Sequence, residues 1–368
     1  MGTRRHVLEN PFRRKLVWVG ALVIGALVIV ASVDQTPSVA APDRKAPIDQ
    51  TLRAAIEQSL MANPEQAVAN ASQAASLEPK SRLAHWLAAQ SVLTLAGDVP
   101  KIRKKDRDLL AEAGVRLYAP PAGHLPASLL HLQDHPQLGR YSLLVDLSVS
   151  RIYIFKANAQ TGLPELVDQF YTTLGLLGAD KQKEGDRRTP IGVYRLVKEI
   201  QNPRADGFLG KLAITLDYPN PEDKRQGRTG SGIWIHGVPE EVHVRPPKAS
   251  DGCLAISNDD MIRIKKYVDY GKSYIMIAKK IDWLPLDQWR GHSQRITKAL
   301  LQATAPAQDK SVGAPKQGAS SAQLLAIFDP GPERSVVTLT GQPKSVSRHF
   351  IERQTLQPDR LAQSPAPR

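Results

Sequence analysis

The chain has 368 residues, 42% of them hydrophobic and 23% charged, enough for one substantial core and smaller parts besides. Forty-nine Lys and Arg against 36 Asp and Glu leave a formal charge of +13, which suits anionic lipid or an acidic polymer; with 5% aromatics and no RNA- or DNA-binding motif, nucleic acid is not an expected partner. A single cysteine excludes an internal disulfide and a Cys-rich zinc site, and no metal-ligand spacing occurs, so neither a metal nor a cofactor is expected.

Residues 1–15 are a basic tail carrying Arg4, Arg5, Arg13, Arg14 and Lys15. Leu16 to Val33 then runs without a charge for eighteen residues, just enough to span a membrane. The basic residues before it place the N-terminus in the cytoplasm. A cleaved signal peptide ending near Ser38-Val39-Ala40 is the competing reading. The apolar run is longer than a signal core and that site lies well past its end, so an uncleaved anchor over 16–33 is expected, with the rest exported. Residues 34–48, rich in Pro, Ser and Ala, read as a linker.

Over 49–118 the pattern is helical, with Leu52, Ile56, Leu60, Val68, Leu83, Leu87 and Leu95 in phase. Asn63-Pro64 and Glu78-Pro79 divide its first part into three short helices. Ala74, Leu77-Glu78-Pro79, Ala84 and Leu95-Ala96-Gly97 resemble one tetratricopeptide-type unit. A single such unit of about 34 residues does not bury its own apolar face. The region is therefore expected to be a small TPR-like element, either docking an envelope protein or serving as a spacer. Lys101 to Asp108 is a charge run suited to a solvated helix face. Pro120, Pro121, Pro126 and Pro136 mark 119–139 as a second linker.

From Tyr141 the period turns strand-like. Leu143–Val145 and Arg151–Phe155 flank a turn at 146–150, as a hairpin requires. Leu166–Leu174, Gly192–Val197, Leu212–Leu216, Ile233–Ile235 and Tyr274–Ile277 supply further strands. Asn258 is placed to cap a helix over Asp259–Tyr270, whose acidic first turn and later Lys265 and Lys266 suit the macrodipole. Residues 140–281 thus read as a mostly β domain, a β-sandwich or twisted mixed sheet with a packed helix. Residues 282–368 form a low-complexity tail expected to be largely disordered, with apolar islands at 324–328 and 336–340 patterned to pair as a small strand element.

Chemistry concentrates in Ile233-Trp234-Ile235-His236-Gly237 and Ser250-Asp251-Gly252-Cys253-Leu254-Ala255. His236 ends a short buried strand that Gly237 breaks. Gly252 permits a tight turn directly before the lone cysteine. A thiol beside an imidazole makes a nucleophile and its base, and the N–H groups near Gly252 and Cys253 are candidate oxyanion donors. The bland alternative, a buried structural cysteine and an unrelated histidine, is the more frequent fate of such residues taken alone. His243 is the rival base, without the strand-end context.

These residues resemble the L,D-transpeptidase catalytic domain (YkuD type), whose signature is His-Gly, a loop, then Ser/Thr-His-Gly-Cys, an aliphatic residue and Arg or Asn. His236, Gly237, Ser250, Gly252, Cys253 and Leu254 match, while Asp251 and Ala255 depart from it. Upstream, Gly185-Asp186 and Thr189-Pro190-Ile191-Gly192-Val193-Tyr194 are similar to the family's Gly-Asp…Thr-Pro-x-Gly-x-Phe/Tyr segment. The resemblance covers about 140–280. It implies an enzyme of the bacterial cell envelope; with the apolar run at 16–33, the catalytic domain is expected in the periplasm, anchored in the inner membrane or exported after signal cleavage. It implies Cys253 as nucleophile and His236 as base, forming a thioester on a peptidoglycan stem peptide at the amide between meso-diaminopimelate and D-alanine. A backbone carbonyl is then expected to hold the His236 ring, with Gly237, Ser250, Asp251 and Gly252 supporting the loop. With Ala255 in place of Arg, Arg245, Lys248 or Arg263 is left to meet the substrate carboxylate. An amine acceptor would give a 3–3 cross-link, water would give an L,D-carboxypeptidase or amidase, and loss of activity would leave a peptidoglycan-binding module.

Overall fold

The computed structural model describes residues 48–99, 102–304, 323–332, 335–342 and 345–352. The expected basic tail, anchor and nearly all of the first linker lie outside the described residues. Among the described residues, no helix is long and apolar enough to cross a membrane. The chain divides into two compact units, Met1–Tyr118 and Ala119–Arg368.

The first unit holds α1 (Ile48–Leu60), α2 (Pro64–Leu77), α3 (Arg82–Leu95), a 3₁₀ turn at Lys104–Asp106 and α4 (Arg107–Arg116). The breaks fall where Asn63-Pro64 and Glu78-Pro79 put them. Asn63 caps α2 by accepting the Gln66 N–H (3.3 Å), and Ser81 caps α3 by accepting the Ala84 N–H (3.2 Å). Ala55, Ala71, Ala74 and Ala84 let the helices approach closely around Leu52, Ile56, Leu83, Leu87 and Leu109. Leu60 and Leu95, in phase by sequence, are 42% and 50% exposed because they sit on final helical turns. The charge run bends before it becomes helical: Asp106 is buried and accepts the Arg103 backbone N–H (2.9 Å). Arg116, also buried, pairs with Glu112 and Asp49.

The second unit opens with β1 (His124–Pro126) and β2 (Leu129–Leu132), so 119–139 is not wholly linker. It continues through β3 (Tyr141–Asp146), β4 (Arg151–Ala157), β5 (Pro164–Tyr171), β6 (Leu174–Gly175), β7 (Gly192–Gln201) and β8 (Leu212–Leu216). Then come α5 (Pro221–Arg225), β9 (Trp234–His236), β10 (Lys248–Ser250), β11 (Leu254–Ala255), α6 (Asn258–Ile264), β12 (Tyr274–Ala278), β13 (Trp283–Pro285) and α7 (Leu286–Thr304). The last elements are β14 (Gln323–Phe328), β15 (Val336–Gln342) and β16 (Ser345–Ile351). An eight-stranded mixed sheet runs β11-β9-β8-β7-β12-β3-β4-β5. Leu143, Val145, Ile152, Ile154, Leu196, Ile214, Ile235, Leu254, Ile275 and Ile277 are buried in its core. Each side chain of this kind contributes about 1.5–3 kcal/mol on burial.

Two local readings need correction. The helix after the cysteine is short: α6 ends at Ile264 and passes into a 3₁₀ turn at Lys265–Tyr267. Its cap is Ser257, whose Oγ accepts the Asp260 N–H (3.0 Å), which leaves Asn258 as the first helical residue with its side chain free for another task. The expected disordered tail instead contributes α7 and three strands. β14 pairs with β15, as the apolar islands suggested, and also with β2, while β15 pairs with β16. Trp289 on α7 donates its indole N–H to the Pro126 and Leu129 carbonyls (3.0 and 3.2 Å). The partners lie some 160 residues earlier, so composition read locally misses them.

Candidate active site

β9 and β11 run parallel, with Leu254 opposite Ile235 and Ala255 opposite His236. Strand alternation then puts Cys253 and His236 on one face, one strand apart and two residues offset. A strand spacing of about 4.8 Å and a rise of about 3.3 Å per residue separate their backbones by about 8 Å.

His236 is 1% exposed. Its Nδ1 lies 2.6 Å from the Gly237 carbonyl oxygen, and a carbonyl only accepts, so Nδ1 carries the proton and Nε2 keeps its lone pair. Burial pulls the ring's pKa down to about 4; the Gly237 bond opposes this and the Arg245 charge adds to it. Cys253 is partly buried, and its thiol donates to the Gly232 carbonyl (3.2 Å), not to the imidazole. Burial raises the thiol's pKa, as does the Asp251 carboxylate; the Trp234 backbone N–H, Arg245 and Lys181 act against them. Both shifts favour a neutral thiol and a neutral imidazole over their charged forms.

The turn carrying Cys253 is tightly specified. Ser250 Oγ accepts the Gly252 N–H (3.1 Å) and donates to the Cys253 carbonyl (2.6 Å). That bond engages the Gly252 N–H, removing it from the expected oxyanion donors. Gly252 has φ +127°, and a Cβ there would stand 2.6 Å from the Arg188 carbonyl oxygen. The turn therefore abuts the 180–189 loop, which Asp186 organises. Asp186 accepts Lys181 Nζ (2.9 Å) and the backbone N–H groups of Gln182, Lys183 and Arg188. Burial works against its ionisation, yet these four donors bring its pKa to about 2.

The three cationic candidates separate. Arg245 has its backbone carbonyl held by Tyr171 Oη (2.9 Å) and Thr173 Oγ1 (3.1 Å). Its guanidinium stacks 4.2 Å over the Phe208 ring, donates to the Phe208 carbonyl (2.5 Å), and is close enough to bear on the charge of Cys253, Asp251 and His236. Arg263 is tied to both oxygens of Asp168 (2.9 Å each) and to Asp260 (2.9 Å), and lies over Phe170. It is a structural ion pair. Lys248 is exposed on β10 beside the cysteine turn, and Asp251 is exposed within it. His243 is buried in the loop before β10, off the β9 strand. Sequence reasoning missed Lys181, Phe208, Gly232 and the use made of Asn258. Only Asp186 carried a signal, through its place in the Gly-Asp segment.

A curled mixed sheet that brings a histidine and a cysteine to adjoining strand ends, closed by a Gly-Asp/Thr-Pro loop, defines the class of domain. Residues 140–277 match the family model of the L,D-transpeptidase catalytic domain, YkuD. Among solved structures, the chain is similar to Bd1075 of Bdellovibrio bacteriovorus, at 24% identity over 61% of this chain and 90% of that one, with a TM-score of 0.45. It is also similar to the helical cell shape determining protein Pgp2 of Campylobacter jejuni, at 20% identity over 58% and 87%, TM-score 0.39. An L,D-transpeptidase from Mycobacterium smegmatis aligns at 13% identity over 38% and 58%, TM-score 0.24. No protein with a curated description matches the sequence.

Proposed function

We propose that this protein is a cell-envelope L,D-transpeptidase that acts on peptidoglycan stem peptides through a thioester at Cys253. The carrying observation is the parallel β9–β11 pairing, which sets Cys253 diagonally across from a histidine whose Nδ1–H is already fixed on a backbone carbonyl. His236 Nε2 takes the thiol proton as Sγ attacks the amide carbonyl. The tetrahedral oxyanion is met by the Cys253 N–H, since the Gly252 N–H is engaged. The C–N bond then breaks, the imidazolium protonates the departing amine, and a thioester remains. An amine from a second stem, deprotonated by His236, expels the thiolate and completes a cross-link. Arg245 is the group best placed to hold the substrate carboxylate, in the role Ala255 cannot fill. The N-terminal apolar segment would tether the domain to the inner membrane, and the helical unit would space it from the bilayer or dock an envelope partner.

Incubation with tetrapeptide-stem muropeptides tests this reading: dimers support the transpeptidase, tripeptides alone replace it with a carboxypeptidase, and no product leaves a binding module. Cys253→Ala should abolish turnover and any carbapenem mass adduct on this residue. Unchanged turnover in that variant refutes the assignment.

A further inference from the structure

We propose that Asn258 is a positioning residue for His236, acting through the single peptide unit that joins Gly237 to Val238. The inference rests on His236 serving as the base. Asn258 Oδ1 accepts the Val238 N–H (3.1 Å), and its Nδ2 donates to the Val238 carbonyl (2.9 Å). A trans peptide is planar, so its N–H and C=O point in opposite directions. With the Val238 N–H drawn to Asn258, the Gly237 carbonyl of the same unit is aimed the other way. There it accepts the imidazole Nδ1–H at 2.6 Å. Rotation of this one peptide would release the ring and its tautomer together; the Asn258 Oδ1 holds it at the Val238 N–H, and the Nδ2 bond to the Val238 carbonyl fixes the peptide that follows.

The surroundings are shaped for this contact. A Cβ at position 237 would lie 2.2 Å from Asn258 Oδ1, and one at 210 would lie 2.6 Å from it. Two glycines therefore clear the space the amide occupies. The anchor is also stiff. Asn258 is the first residue of α6, capped by Ser257, and two residues earlier the Ile256 N–H donates to the His236 carbonyl (3.0 Å). Strand end and helix start are laced together on either side of the histidine. An asparagine whose only task was helix initiation would leave its side chain to solvent.

Asn258→Leu keeps the γ-branched shape and removes both bonds; Asn258→Asp keeps an acceptor for the Val238 N–H. The His236 tautomer is read in each from long-range ¹⁵N–¹H correlations, and the Cys253 alkylation rate with iodoacetamide is followed against pH. Wild type should show one Nδ1–H tautomer. Asn258→Leu should show both tautomers and alkylate about tenfold more slowly at neutral pH, the effect of losing one net hydrogen bond. Asn258→Asp should recover a single tautomer and most of the rate. A single tautomer in Asn258→Leu, or a mixture in Asn258→Asp equal to that in Asn258→Leu, overturns the proposal. Where Asn258→Leu does not fold, Asn258→Ala replaces it under the same criteria. The tautomer readout needs no turnover: mixed tautomers with an unchanged alkylation rate would sink His236 as the base while leaving the contact itself intact.

Discussion

Protonation of His236 can be followed as a stability change, because the ring is 1% exposed and neutral when folded. Its pKa is lowered from 6.5 to about 4, chiefly by burial. Above pH 6.5 neither the folded nor the unfolded chain protonates this ring, and it contributes no pH dependence. Between 6.5 and 4 the unfolded chain binds a proton that the folded chain refuses, so stability falls as pH falls, by about 1.4 kcal/mol per pH unit. Below 4 both states are protonated and the loss levels off near 3 kcal/mol in all. The assay is urea unfolding of wild type and His236→Gln at pH 7, 6, 5 and 4, followed by tryptophan fluorescence. Other groups titrate alike in both proteins, so the difference between the two curves isolates this ring. Wild type should lose about 3 kcal/mol more than the variant across the range. Parallel curves would show that the ring is not held neutral, and the assignment of an unprotonated base would fall with it. In the same reading, kcat/KM keeps its base at neutral pH and loses it only near pH 4.

Four further outcomes follow from the site. Asp251→Asn removes a carboxylate that raises the thiol's pKa, so iodoacetamide should label Cys253 a few-fold faster at pH 7; an unchanged rate would show that this charge does not reach the sulfur. Gly252→Ala forces a side chain into φ +127° and onto the Arg188 carbonyl, at a cost of about 2–4 kcal/mol. Calorimetry should find the melting temperature lower by about 5–10 °C, and a smaller drop would mean the turn relaxes. Arg245→Ala should raise KM for a stem peptide about tenfold with kcat little changed, the loss expected for one charged hydrogen bond. Arg263→Ala should instead cost about 1 kcal/mol of stability, as befits a partly exposed ion pair, and leave KM unaltered. If both variants raised KM alike, the separation of these two arginines would be wrong.

Much of the domain was readable because its signals are local. Period-two runs marked β3, β4, β7, β8, β9 and β12, and Asn63-Pro64 and Glu78-Pro79 marked the helix breaks. Cys253 and His236 stood out as candidates through residue type: a lone thiol after glycine and a histidine before a glycine at the end of β9. The islands at 324–328 and 336–340 were legible as a strand pair, but the strands at 124–132 and 345–351 were not, since a short run becomes a strand only when a partner is present: β2 finds β14 and β16 finds β15. Asn258 was misread for a related reason. Beside Ser257 it looks like a helix cap, and its true partner, Val238, is twenty positions away.

The amino-acid order by itself determined the chemistry on offer: one thiol, a histidine before a glycine, and a strand-rich stretch over 140–281. Three-dimensional packing alone decided which groups those residues face. It turned the thiol to Gly232, gave the Gly252 N–H to Ser250, committed Arg263 to Asp168 and left Arg245 beside the sulfur. The reason is physical. Strand and helix periods come from the backbone's own geometry and are written along the chain, whereas a hydrogen bond or ion pair between distant residues depends on their separation in space and leaves no period to read.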